Sequence, residues 1–162
     1  MFIKQADLFW NLSHKFVKSV FEQVERKSYD SGQFIFSEGD PATCFYTLIK
    51  GHVKLRFGKA GTSVFTVNHA GESFGWSSIV HRDMYSASAE CMEPTTVIEI
   101  EQEIFWEILS EYPKDGLDFM KRLATVLGQR LISSYEMVSS SMKDGNHISF
   151  GTGQVLETAV EE

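Results

Sequence analysis

Proline, cysteine and positive charge are all in short supply in this chain. Three prolines in 162 residues, with no long serine or glycine tract, leave little composition for a large disordered region. The two cysteines, Cys44 and Cys91, stand far apart and outside any Cys-x-x-Cys pattern. A redox motif, a zinc site and an iron–sulfur cluster are thereby excluded, and two free thiols in strand-like surroundings are expected. The five histidines, His14, His52, His69, His81 and His147, show no metal-ligand spacing, so no metal centre and no cofactor are expected. No nucleophile lies beside a paired base, so no catalytic residue is nominated and the chain reads as non-enzymatic. The formal net charge of -7 disfavours nucleic acid and anionic membrane as general partners. No apolar run is long enough to cross a bilayer, and MFIKQADLFW carries no secretory core. A cytoplasmic location without membrane contact is the expectation.

What the chain does have is apolar mass: 43% hydrophobic residues, including 13 Phe, 5 Tyr and 3 Trp, enough for the core of one domain. From residue 6 to 25 the spacing of Leu8, Leu12, Phe16, Val20 and Val24 predicts helix, with Ser13 able to cap a second segment inside it. From Tyr29 to Ile100 the pattern changes to short strands. These are Phe34–Phe36, two within CFYTLIKGHVKLRFGK, one in TSVFTVNHAG ending at Gly71, YSASAEC and TTVIEIE. Gly and Pro turns separate them. Such spacing predicts a sandwich or jelly roll. Ile104, Phe105, Ile108 and Leu109 form one helical face up to Pro113. A longer helix is expected from about Asp115 to Ser141. Its seam of Leu117, Met120, Ala124, Leu127, Leu131, Ser134, Val138 and Ser141 suits a second copy of the chain better than its own barrel. The last residues, 143–162, leave fraying and a small strand near Ile148–Phe150 equally open.

This order of elements resembles the cyclic-nucleotide-binding domain of the catabolite activator family. Three stretches carry the likeness, over roughly residues 15 to 142: FSEGDPATCFYTLIKGHVKL, GESFGWSSIV followed by YSASA, and SEYPKDGLDFMKRLATVLGQRL. The resemblance implies a mainly β fold, a double-stranded β-helix jelly roll flanked by N-terminal helices and a long C-terminal dimerisation helix. The domain would span 1–142, with the dimer helix at 114–142, and a tail at 143–162. A helix-turn-helix needs roughly 60 further residues, so direct DNA binding is not expected.

The resemblance also implies a phosphate-binding cassette over Gly71 to Ala87. There a strand gives way, near Phe74 and Gly75, to one helical turn whose backbone N–H groups face a common point. In the family a glutamate after that glycine holds the ribose hydroxyl, and an arginine before a Ser/Thr-Ala pair neutralises the cyclic phosphate. Here Ser86 and Ala87 match the pair, but Trp76 and Tyr85 stand at the two ligand positions. An indole N–H only donates, and a phenol is uncharged at pH 7. Two lost charge-assisted bonds, at about 1.5–3 kcal/mol each, would weaken a cyclic nucleotide roughly 100-fold or more. Ser77, Ser78 and the loop residue Arg82 are the candidates to compensate. On the long helix Arg130, Ser134 and Tyr135 align with residues that the catabolite activator turns toward its ligand.

The leading expectation is therefore a dimeric sensory domain. It would bind a cyclic nucleotide or another small anionic ligand, and signal through the dimer helix to a protein partner, with Phe105 to Pro113 as hinge. The alternatives are a ligand-free interaction module with its pocket closed by Trp76, and a truncated transcription factor.

Overall fold

The computed structural model describes residues 7–58, 62–80 and 82–141. His81, His147 and the tail 143–162, with its expected strand, lie outside the described residues. By contacts the chain divides into two compact units, 1–125 and 126–162.

Within the first unit, two four-stranded sheets face each other. One is ordered β1-β8-β3-β6, from Glu25–Tyr29, Thr95–Glu101, Cys44–Lys50 and Ser73–Phe74. The other is ordered β2-β7-β4-β5, from Phe34–Phe36, Ser88–Cys91, Val53–Phe57 and Thr62–Val67. Every recorded pairing is antiparallel. This is the expected mainly β jelly roll with helices. Between the sheets sits a core of Phe36, Tyr46, Leu48, Val53, Val67, Phe74, Tyr85, Ala89, Cys91 and Val97. Cys91 is fully buried and Cys44 half-buried, both as free thiols.

Strand β3 is buried on both faces, which explains why Phe45, Tyr46 and Leu48 follow one another without polar alternation, broken only by a buried Thr47. Tyr46 and Leu48 point into the sandwich, while Phe45 points outward onto a second core with Phe9, Phe16, Phe105 and Phe119. Gly51, at φ +113, turns β3 into β4, where an added Cβ would lie 2.4 Å from the Thr95 hydroxyl. Only glycine fits that crossing.

The helical expectations need trimming. Helix α1 covers only His14–Phe21. Ser13 caps it as expected, its hydroxyl accepting from the Phe16 amide at 3.3 Å. Residues 7–11 form turns rather than helix, with Asn11 at φ 59. After a turn at residues 22–24 the chain enters β1 at Glu25, the last residue of the expected helix. Its pairing with β8, Arg26 opposite Ile98 and Ser28 opposite Thr96, overrides the apolar period that Val24 had continued. Strand β5 stops at Val67 rather than at Gly71, because a turn through Asn68 and His69 is held by the Glu72 carboxylate at 3.0 Å from both amides.

Helix α2, Gln102–Glu111, buries Phe105, Ile108 and Leu109. Helix α3 runs Pro113–Ser141, close to expectation, with Pro113 at its first position where a missing N–H costs nothing. The segment 105–113, expected as a hinge, comprises most of α2, the junction at Tyr112 and the first residue of α3. In the first turns of α3, Gly116, Phe119 and Leu123 face inward, whereas Leu117 of the heptad seam is 57% exposed. In the second unit Leu131, Ile132, Tyr135, Met137 and Val138 are all exposed. Of the expected seam, Leu117, Ala124, Leu131 and Val138 are exposed, and Met120, Leu127 and Ser134 are half-buried.

Candidate functional site

The cassette begins where β6 pairs with β3, Phe74 opposite Tyr46 and Ser73 opposite Thr47. Gly75 then takes the left-handed conformation, φ 78 and ψ 27, and starts a single 3-10 turn, Trp76–Ser78. The turn is secured from within. The Ser78 hydroxyl donates to the Gly75 carbonyl at 3.2 Å, and the Ile79 and Val80 amides both donate to the Trp76 carbonyl. The Arg82 amide donates to the Ser77 carbonyl at 3.0 Å and turns the chain back. A Cβ on Gly75 would stand 3.1 Å from the Tyr46 ring and 3.3 Å from the Phe36 ring. The glycine is therefore required by packing and by its φ, whether or not a ligand approaches it.

The return limb is pinned to the turn after β2. The Tyr85 amide donates to the Asp40 carbonyl, the Gly39 amide to the Tyr85 carbonyl, and the Ala42 amide to the Asp83 carbonyl, all at 2.9–3.0 Å. This pinning directs the Tyr85 side chain inward, where it is 4% exposed. Its ring stacks on Phe36 with centroids 3.8 Å apart and planes 16° apart. Phe36 stacks in turn on Tyr46 at 5.6 Å, and Tyr46 on Phe74 at 5.4 Å. Four aromatic rings thus fill the end of the sandwich behind the cassette.

The Tyr85 hydroxyl is fully used. It donates to the Cys44 carbonyl at 2.5 Å and accepts from the Cys44 amide at 3.1 Å. It also shares a hydrogen bond with the Tyr46 hydroxyl. One donor and two acceptor positions exhaust a phenol. Burial raises the pKa of both phenols above the ordinary tyrosine value. For Tyr85 the bonds to the Cys44 backbone and to Tyr46 oppose that rise. Tyr85 therefore stands neutral, and its hydroxyl bonds are already made within the protein.

The other nominated residues separate into four groups. Phe74, Ser77 and Ser78 are buried in the cassette turn, and Ala87 is buried just before β7. Trp76 is half-buried and outside the buried core, so the ring that fills the interior is Tyr85, not Trp76. Arg82 and Ser86 are exposed on the return limb. Arg130, Ser134 and Tyr135 belong to the second unit. There the Ser134 hydroxyl donates to the Arg130 carbonyl one helical turn back, at 2.8 Å, which accounts locally for a serine in the seam. Phe36, Tyr46 and the Cys44 backbone were not anticipated as site residues. They lie on strands remote in sequence, and no local pattern links them to Tyr85.

Three findings from known proteins bear on this geometry. The profile of the cyclic nucleotide-binding domain matches residues 26–112. Among curated proteins, the chain is 29% identical over 102 residues to the cAMP-dependent protein kinase regulatory subunit of Yarrowia lipolytica, covering 63% of this chain and 26% of that protein. It is 28% identical over 131 residues to the cyclic AMP receptor protein of Thermus thermophilus, covering 80% of this chain and 59% of the relative. The chain thus spans about a quarter or less of the length of the first curated relatives it matches. Among solved structures, a protein of Geobacter metallireducens described as cyclic nucleotide-binding superposes with a TM-score of 0.70 at 26% identity, covering 80% of this chain and 95% of that one. The matched segment runs from β1 through the cassette to the end of α2, and it takes in more than half of the residues. The chain belongs to the cyclic nucleotide-binding domain family.

Proposed function

We propose that the chain is a non-enzymatic regulatory domain whose cyclic-phosphate position is sealed by Tyr85. It would act through protein contacts rather than as a receptor for cyclic AMP or cyclic GMP. The observation that carries this reading is the Tyr85 hydroxyl, held by Cys44 and Tyr46 while its ring stacks on Phe36. A cyclic phosphate brought to that place meets a neutral ring in a buried aromatic stack, with no charge to offset its desolvation. The exposed seam on α3 offers the contact surface, and a second copy of this chain is the first partner to test. Function in the cell then rests on assembly and on a partner protein.

One observation favours a second reading. The cassette turn is intact, with Ser77 at its centre and the exposed Arg82 on its return limb. A small anionic ligand held at the rim by these groups would make the domain a sensor without the family's ion pair.

Thermal unfolding separates the two readings. Cyclic AMP, cyclic GMP, cyclic dinucleotides, linear nucleotides and small carboxylates are each added to the parent chain. A ligand at about 100 times its dissociation constant stabilises by roughly 2.7 kcal/mol, which for a chain of this size is roughly 5–10 °C. Unchanged melting across the panel is the expected result. A shift with cyclic AMP or cyclic GMP overturns the sealed site, and a shift with another anion supports the rim sensor. The double variant Trp76→Glu/Tyr85→Arg restores the family's pair. It is expected to be less stable than the parent and to regain stability with a cyclic nucleotide.

A further inference from the structure

The residues ahead of α1 are tied to both ends of the first unit's machinery. Asp7 sits against β6: its carboxylate accepts from the Ser73 hydroxyl at 2.9 Å and from the Ser73 amide at 3.4 Å, and its own amide donates to the Gly71 carbonyl. Ser73 is fully buried and its hydroxyl also meets Thr47 of β3 at 3.1 Å. Two residues after Ser73, just past the end of β6, lies Gly75, where the cassette turn begins. At the other end of the segment, Ser13 meets the first turn of α3. The Asp115 carboxylate accepts from the Ser13 amide at 2.6 Å and from its hydroxyl at 2.7 Å. Between these two carboxylates, Phe9 is buried against Phe119 of α3 at 5.4 Å and Phe105 of α2 at 6.3 Å.

We infer that Asp7–Ser13 is a coupling strap, which links the position of the cassette strand β6 to the first turn of α3. The physical basis is the number and kind of its anchors. Each end is a carboxylate holding two N–H or O–H donors, stronger than a neutral pair. The middle is an aromatic ring in a close-packed cluster, which transmits displacement rather than absorbing it. A shift of β6 along β3 would pull Asp7, then Phe9, then the α3 contacts at Phe119 and Asp115. By reciprocity, loosening the start of α3 must loosen β6 by the same free energy. This coupling holds whether the cassette is sealed or open, so it stands apart from the reading of its ligand.

Hydrogen exchange on the full chain tests it. Asp7→Asn keeps the shape of the side chain and removes its charge. It is expected to speed amide exchange roughly tenfold or more at Ser73–Phe74 and equally in residues 114–119, at the far end of the segment from the Ser73 contact. Asp115→Asn is expected to produce the mirror result, faster exchange at Ser73–Phe74 as well as around Ser13. Asp118→Asn, three residues beyond Asp115 and paired on the surface with Lys121, is expected to leave Ser73–Phe74 unchanged. Acceleration confined to the segment each side chain touches, or spread evenly over the whole chain, overturns the strap. Should Asp7→Asn fail to fold, Ser73→Ala is read by the same two segments.

Discussion

Tyr85→Phe keeps the ring on Phe36 and removes only the hydroxyl, so it isolates the feature on which the sealed site depends. In the parent that oxygen donates to the Cys44 carbonyl and accepts from the Cys44 amide and the Tyr46 hydroxyl. The variant leaves the backbone of Cys44 without that partner at a place nearly closed to water, since Tyr85 is 4% exposed. An orphaned buried donor or acceptor costs about 1–3 kcal/mol, so a loss of about 2 kcal/mol is expected. For a chain of this length that lowers the melting temperature by about 4–8 °C. The assay is thermal or urea unfolding followed by circular dichroism, with Tyr135→Phe as control. Tyr135 is 54% exposed, and its loss of a hydroxyl should stay within about 0.5 kcal/mol. If Tyr85→Phe costs no more than Tyr135→Phe, the hydroxyl is not seated on Cys44. The argument that it is unavailable to a phosphate then fails.

Three further outcomes follow from the same geometry. Gly75→Ala should lose about 1–3 kcal/mol in urea unfolding, from a left-handed backbone and from crowding against Tyr46 and Phe36; an unchanged midpoint would contradict that packing. The raised phenol pKa values of Tyr46 and Tyr85 have a definite sign. The folded state holds these protons more tightly than the unfolded chain does. The stability they contribute is complete below the ordinary tyrosine pKa of 10.0 and is lost as pH rises above it. Phenolate absorbance of these two tyrosines should therefore appear only together with alkaline unfolding. Finally, Leu131→Glu on the exposed seam should leave the unfolding midpoint nearly unchanged while reducing the mass seen by light scattering from dimer to 18.4 kDa; a parent that is already a monomer refutes the seam as a self-association surface.

Much of the architecture could be read without coordinates because it follows from local rules. Val53, Leu55 and Phe57 alternating with Lys54 and Arg56 made a strand, and Gly51 between two apolar runs made a reversal. Pro113 marked the stop of one helical face, and the longer helix expected from about Asp115 to Ser141 begins at that proline. The same local logic located the cassette turn at Gly75 and found that the two charged positions of the family were vacant of charge. Each of these depends on residues within a few positions of one another, where backbone sterics and side-chain period act directly.

Tertiary contacts decided the rest. The apolar period that predicted helix to residue 25 runs on to Val24, yet α1 ends at Phe21 and Glu25–Tyr29 pair with β8 as β1. Tyr85 looked like a neutral substitute for an arginine. Its meaning changed once Phe36 and Cys44, more than forty residues earlier, closed around it. Asp7 and Asp115 gave no local sign of a role, since the bonds that define them reach Ser73 and Ser13 across the fold. A hydrogen bond or a ring stack between distant segments has no period and no motif. Only the folded chain, by bringing those segments within 3 or 4 Å, fixes which polar groups stay available and which are already used.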